Sequence, residues 1–164
     1  MVDHSEKYIM KIWVDADACP AAVREIILRA ANRLVIDTVF VANKSLFVPQ
    51  APHFSFVQVP LGPDVVDQHI IQHAQCGDLV ITQDIPLAST LVTQGIVVIS
   101  PHGTLFTDNN IGERLASRNL MTDLRDFGMV TGGPKPFGEK EKRAFANAFD
   151  QVLTRLMKGD ARNR

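Results

Sequence analysis

Aspartates in three separate segments have the types and spacing to do chemistry together. Asp15 and Asp17 lie in Asp15-Ala16-Asp17-Ala18-Cys19-Pro20, directly after the apolar run Ile9 to Val14. Asp67 follows Gly62-Pro63-Asp64, and Asp84 ends the stretch Leu79-Val80-Ile81-Thr82-Gln83-Asp84. Carboxylates gathered at one place repel one another unless cations hold them. Hard divalent ions take oxygen ligands and keep several waters, which suits an acidic set with no adjacent His or Cys. The expected cofactor is therefore Mg or Mn, held by Asp15, Asp17, Asp64, Asp67 and Asp84. Asp64 and Asp84 also occupy positions suited to helix N-caps. Asp67 does not. On a helical wheel Ile70, Ile71 and Ala74 fall within roughly 60° of it, so it lies on the apolar face, where an unpaired carboxylate is costly.

The elements that must position these acids alternate along the chain. Ile9 to Val14 reads as a buried strand, and Ala21 to Arg33 as a helix with Val23, Ile26, Ile27 and Ala30 at helical spacing. Leu34 to Ala42 is rich in β-branched residues and reads as a second strand ending at Asn43-Lys44-Ser45. Residues 46 to 63 carry four prolines and one short strand, Phe54 to Val59, before a helix that begins near Asp64. Leu79 to Thr82 is the next strand, Pro86 opens a helix through Thr93, and Ile96 to Ile99 is a further strand. Asn110 to Phe127 is predicted helical, Gly128 to Gly138 a loop, and Glu139 to Lys158 an amphipathic helix with Phe145, Phe149, Val152 and Leu156 on one stripe. The alternation predicts an α/β fold, a doubly wound and mainly parallel sheet with helices on both faces. A single domain over residues 1–164 is expected, with tails at about 1–9 and 159–164. In such sheets ligands collect at the carboxyl ends of the strands, where these acids are expected to meet.

A formal net charge of −1 over 164 residues gives no global attraction to nucleic acid or to an anionic membrane, so a polyanion site must be local. Arg114, Arg118 and Arg125 can share one helix face, Lys135 lies in Gly132-Gly133-Pro134-Lys135-Pro136, and Asn43 and Lys44 stand at a strand end. Together with Thr82 these are the candidate substrate contacts. The arginines could equally pair with Glu113, Asp123 and Asp126 on a solvated face. Cys19 and Cys76 show no CxxC spacing, fitting a reducing cytoplasm and small buried hydrophobes. No apolar run approaches the roughly 20 residues of a membrane helix, so no membrane association and a cytoplasmic location are expected. Neither GxxxxGK[ST] nor GxGxxG is present, and no nucleotide cofactor is inferred. His69 and His73 have the spacing of a helical zinc pair, but Ile70 stands where a zincin would carry its catalytic Glu. They lie roughly 200° to 240° from Asp67 on the wheel and are expected to face solvent.

Asp15 to Pro20, Gly62-Pro63-Asp64 with Asp67, Gly77 to Ala88 and Gly133-Pro134 resemble the YaiI/YqxD family of uncharacterised bacterial proteins, over about Met10 to Leu156. That family is in turn similar to PIN-like domains, metal-dependent nucleases with acids after the first strand, on a middle helix and in a Thr-x-Asp element. Those positions fall on Asp15, Asp67 and Thr82-Gln83-Asp84. The resemblance implies phosphodiester hydrolysis, with RNA the expected substrate and Asp15, Asp67 and Asp84 as the catalytic acids. Many PIN-like nucleases carry another acid just beyond, and Ile85-Pro86-Leu87-Ala88 has none. An alternative is a non-catalytic module that binds nucleic acid or protein. A third reading is a haloacid-dehalogenase-type phosphatase, in which Asp15 would be the nucleophile and Asp17 the acid–base.

Overall fold

The computed structural model describes residues 9–126 and 137–158. In chain order the elements are β1 (Lys11–Asp15), a 3-10 turn (Ala16–Ala18), α1 (Ala21–Leu34), β2 (Asp37–Ala42), β3 (Phe54–Gln58) and α2 (Val65–His73). They continue with β4 (Leu79–Ile81), α3 (Ile85–Thr93), β5 (Val97–Ile99), β6 (Leu105–Phe106), α4 (Asp108–Asp126) and α5 (Glu139–Met157). The described strands form one sheet in the order β3-β2-β1-β4-β5-β6, parallel throughout except for the antiparallel β5–β6 pair.

The inner strands β1, β4 and β5 are buried on both faces, and their alternation divides the core in two. Ile12, Val14, Phe40, Leu79, Ile81, Val97 and Ile99 point to one face, where Val23 and Ile27 of α1 and Phe145, Phe149, Val152 and Leu156 of α5 cover them. Trp13, Val41, Val80 and Val98 point to the other, under Val66 and Ile70 of α2, Leu87 and Leu91 of α3, and Ile111 of α4. The expected doubly wound architecture is therefore present. The chain leaves β1 toward β2 and β3, then crosses through α2 to β4 on the other side of β1. Strand order reverses between β1 and β4, and that reversal opens a crevice at the carboxyl edge.

Several boundaries differ from the sequence reading. The second strand begins at Asp37 rather than Leu34, because α1 keeps Leu34 and ends on Val35 in the left-handed region (φ 53°), with the Val35 N–H reaching Ala31 O. β-branched residues adopt that conformation at a cost, so local propensity pointed toward a strand instead. β6 is too short to show a period and exists only as the partner of β5. α4 begins at Asp108 rather than Asn110. Thr107 N donates to Asn110 Oδ1 (2.8 Å), and Asn110 N donates to Thr107 Oγ1 (3.3 Å).

At the opposite edge of the sheet Asp78 is fully buried. Its carboxylate accepts hydrogen bonds from Lys11 N (2.9 Å), the Trp13 indole Nε1 (2.9 Å) and Gln75 N (3.0 Å), tying the starts of β1 and β4 together. His73 is exposed, as expected, whereas His69 is half-buried, and both rings lie against Trp13. No helix among the described residues is long and apolar enough to cross a membrane.

Candidate active site

Asp15 is the last residue of β1, one step beyond the pairing of Val14 with Ile81 of β4, and only 8% exposed. Its Oδ2 accepts a hydrogen bond of 2.8 Å from the Thr82 hydroxyl, and the same Oγ1 accepts one of 3.0 Å from Asp84 N. Thr82 is 1% exposed, so the hydroxyl expected to meet substrate is instead a buried bridge that positions Asp15 against the strand-to-helix turn. Asp84 caps α3. Its Oδ1 accepts from Leu87 N at 2.9 Å, with Pro86 in the first turn, where a missing N–H costs nothing. Capping and site membership are thus compatible, since the cap uses one carboxylate oxygen.

Asp67 enters from α2, half-buried, close enough to Asp84 for the two carboxyls to influence each other. Burial pushes the Asp15 carboxyl up from 3.8 to about 6; the Thr82 hydrogen bond opposes this, and the charges of Asp84 and Asp17 add to it. Asp67 is raised further above its ordinary value, by burial first and then by Asp84, Asp15 and Asp64. Three acids from β1, α2 and the β4–α3 turn therefore share one electrostatic neighbourhood at the switch point.

Two of the expected ligands are engaged elsewhere or stand at the margin. Asp17 accepts from Asn43 N (2.8 Å) and Lys44 N (3.4 Å) through different oxygens, so its carboxylate tethers the loop after β2. That role suits a positioning residue better than the acid–base of a phosphatase. Asp64 takes the N-cap position of α2 in the left-handed region (φ 63°) but makes no side-chain cap, a correction to the capping expectation. It is exposed, and its charge still acts on Asp67.

The chain's membership is decided by comparison with known proteins. The profile of a family described as "Uncharacterized BCR, YaiI/YqxD family" matches residues 13–155. The chain belongs to this family. Among curated relatives, a UPF0178 protein of Syntrophobacter fumaroxidans is 54% identical over 149 residues, covering 91% of this chain and 97% of that protein. A UPF0178 protein of Myxococcus xanthus is 55% identical with the same coverage, and one of Psychromonas ingrahamii is 53% identical over 91% of this chain and 99% of its own length. No solved structure matches the chain significantly.

The family match spans every acid discussed above and leaves their chemistry open. Among the described residues no group of three or more His, Cys, Asp or Glu is arranged to hold a metal ion as it stands. The donor set nonetheless fits a hard cation. It is made of carboxylates alone, and Asp15 and Asp67 are raised partly by neighbouring negative charge that a cation would neutralise. Cys19 lies close by, but burial pushes its thiol up to about 12, against the opposing charge of Arg24, so it is not a thiolate nucleophile.

The candidate cations are dispersed. Asn43 is half-buried and Lys44 exposed on the loop that Asp17 holds. Arg114 and Arg118 are exposed on α4, with Arg118 Nη1 donating to Asn119 Oδ1 (3.3 Å). The side chain of Arg125 and all of Lys135 lie outside the described residues, as do the side chains of Asp123 and Asp126 and residues 127–136. Sequence reasoning missed the anchoring role of Asp78. A fully apolar strand preceded by an acid, with the chain's only Trp on the neighbouring strand, was the available signal.

Proposed function

We propose that this protein is a cytoplasmic Mg- or Mn-dependent nuclease of PIN-like type that hydrolyses phosphodiester bonds, with RNA as the favoured substrate. The observation that carries the reading is that Asp15, Asp67 and Asp84, from three different elements, act electrostatically on one another at the carboxyl edge where β1 and β4 lie side by side. Asp15, Asp67 and Asp84 are the residues that would hold the metal, with Asp17 and Asp64 contributing charge at the margin. A bound divalent ion supplies a water of lowered pKa and stabilises charge on the phosphate. Thr82 orients Asp15, and Asp84 is oriented by its cap on α3. Lys44 and Asn43 beside the crevice, and Arg114, Arg118, Arg125 and Lys135 farther along the chain, are the proposed phosphate contacts.

The test is cleavage of end-labelled RNA and DNA oligonucleotides with Mn or Mg. Cleavage should require the metal, stop with chelator and be lost in Asp15→Asn and Asp84→Asn. Metal-independent cleavage, or cleavage that survives both substitutions, would refute the proposal. A second reading, a binding module without catalysis, is favoured by one observation: no ready-made group of three ligands stands among the described residues. RNA binding that persists without metal and in both variants, with no cleavage, would support it.

A further inference from the structure

The two imidazoles that the acidic crevice leaves unused form an arrangement of their own. His69 and His73 are four residues apart on α2, with rings stacked at 4.2 Å between centroids and 23° between planes. Each lies 6.2 Å from the ring of Trp13, which is buried with its Nε1 donating to Asp78. The Nδ1 of His73 stands 2.7 Å from the carbonyl oxygen of His69. A carbonyl oxygen only accepts, so Nδ1 carries the hydrogen, and Nε2 is the nitrogen that offers a lone pair when the ring is neutral. Holding one ring nitrogen on a backbone carbonyl is how proteins orient an imidazole that ligates metal through the other.

Imidazole nitrogens favour borderline ions such as Cu, Ni and Zn over Mg or Ca. Asp67 precedes His69 by two residues, which puts it roughly 200° away around the helix, so the two sets of donors address different faces of α2. We propose that His69 and His73 form a separate site for a borderline divalent transition ion of the Cu or Zn class. The ion is bound by two imidazole nitrogens and completed by water, because no third His, Cys, Asp or Glu among the described residues joins them. This site needs neither the acidic crevice nor nuclease activity.

Trp13 is the only tryptophan in the chain and lies under both rings, so its emission reports the site directly. Untagged full-length protein is titrated with copper(II) chloride, a short-range quencher of indole emission, in excess magnesium chloride. The expected result is saturable quenching at one ion per chain, reversed by EDTA and competed by zinc. His69→Gln and His73→Gln should each weaken the midpoint about a hundredfold or more, since the second imidazole of a chelating pair binds intramolecularly. Asp67→Asn should leave the midpoint unchanged. Because His73 is exposed, His73→Gln decides the matter should His69→Gln fail to fold, with far-UV circular dichroism confirming the fold. An unchanged midpoint in His73→Gln, or its loss in Asp67→Asn, would overturn the proposal.

Discussion

Replacing Asp15 by Asn in metal-free solution should change stability in a way that depends on pH, and the sign follows from the raised carboxyl. In the folded chain Asp15 ionises at about 6 against an ordinary 3.8. A raised acid opposes folding only when it is charged in the unfolded chain. The penalty is therefore absent below 3.8, grows as pH rises through the window between 3.8 and about 6, and is complete above it. The full shift corresponds to roughly 3 kcal/mol at pH 8, and about half of that at pH 5. Asn cannot ionise and can still accept the Thr82 hydroxyl. Its amide hydrogens add a burial cost, but that cost does not vary with pH. The difference in stability between variant and parent should therefore move in favour of the variant by roughly 1 to 2 kcal/mol from pH 5 to pH 8. For a chain of this size that is a change of roughly 3–6 °C in relative melting temperature. Thermal melts followed by circular dichroism in EDTA at both pH values supply the measurement. A difference that stays constant with pH, or that shrinks as pH rises, would refute the assignment of Asp15 as a buried, repelled carboxylate. Magnesium added at pH 8 should then raise the melting temperature of the parent and not of the variant.

Three other substitutions probe the surrounding structure. Thr82→Val removes the hydroxyl that bridges Asp15 and Asp84 N, leaving two polar groups short of a partner; urea unfolding should show a loss of about 1–3 kcal/mol, largely restored in Thr82→Ser. Val35→Gly relieves a left-handed β-branched residue that is 70% exposed and buries little, so urea unfolding should show a gain in stability of about 1 kcal/mol. Asp78→Ala strands the Trp13 indole and two backbone N–H groups; it should cost about 3 kcal/mol or more and shift Trp13 emission to the red, whereas unchanged stability would remove Asp78 from its anchoring role.

Much of the architecture was legible because it is written in local periods. Fully apolar runs such as Leu79 to Ile81 and helical stripes such as Phe145, Phe149, Val152 and Leu156 name their own elements. Errors fell where competing local signals were close in energy. Leu34-Val35-Ile36 reads as strand by side-chain shape, yet α1 and its cap take the first two residues. The acids were recognisable as a set because each stands at a strand end or on an apolar helix face. Which of them share the crevice was not.

Residue type and spacing, by themselves, determined the α/β alternation, the two-sided burial of the inner strands and the candidacy of Asp15, Asp67 and Asp84. Only the tertiary structure decided that β4 lies beside β1. It brought Thr82 to Asp15 across 67 positions, assigned Asp17 to the loop at Asn43 and Lys44, committed Asp78 to Trp13 and laid His69 and His73 over that ring. The physical reason is that hydrophobic period is set by the covalent geometry of neighbouring residues. The partner of a carboxylate is set by which distant strands pack together, and that choice belongs to the whole chain.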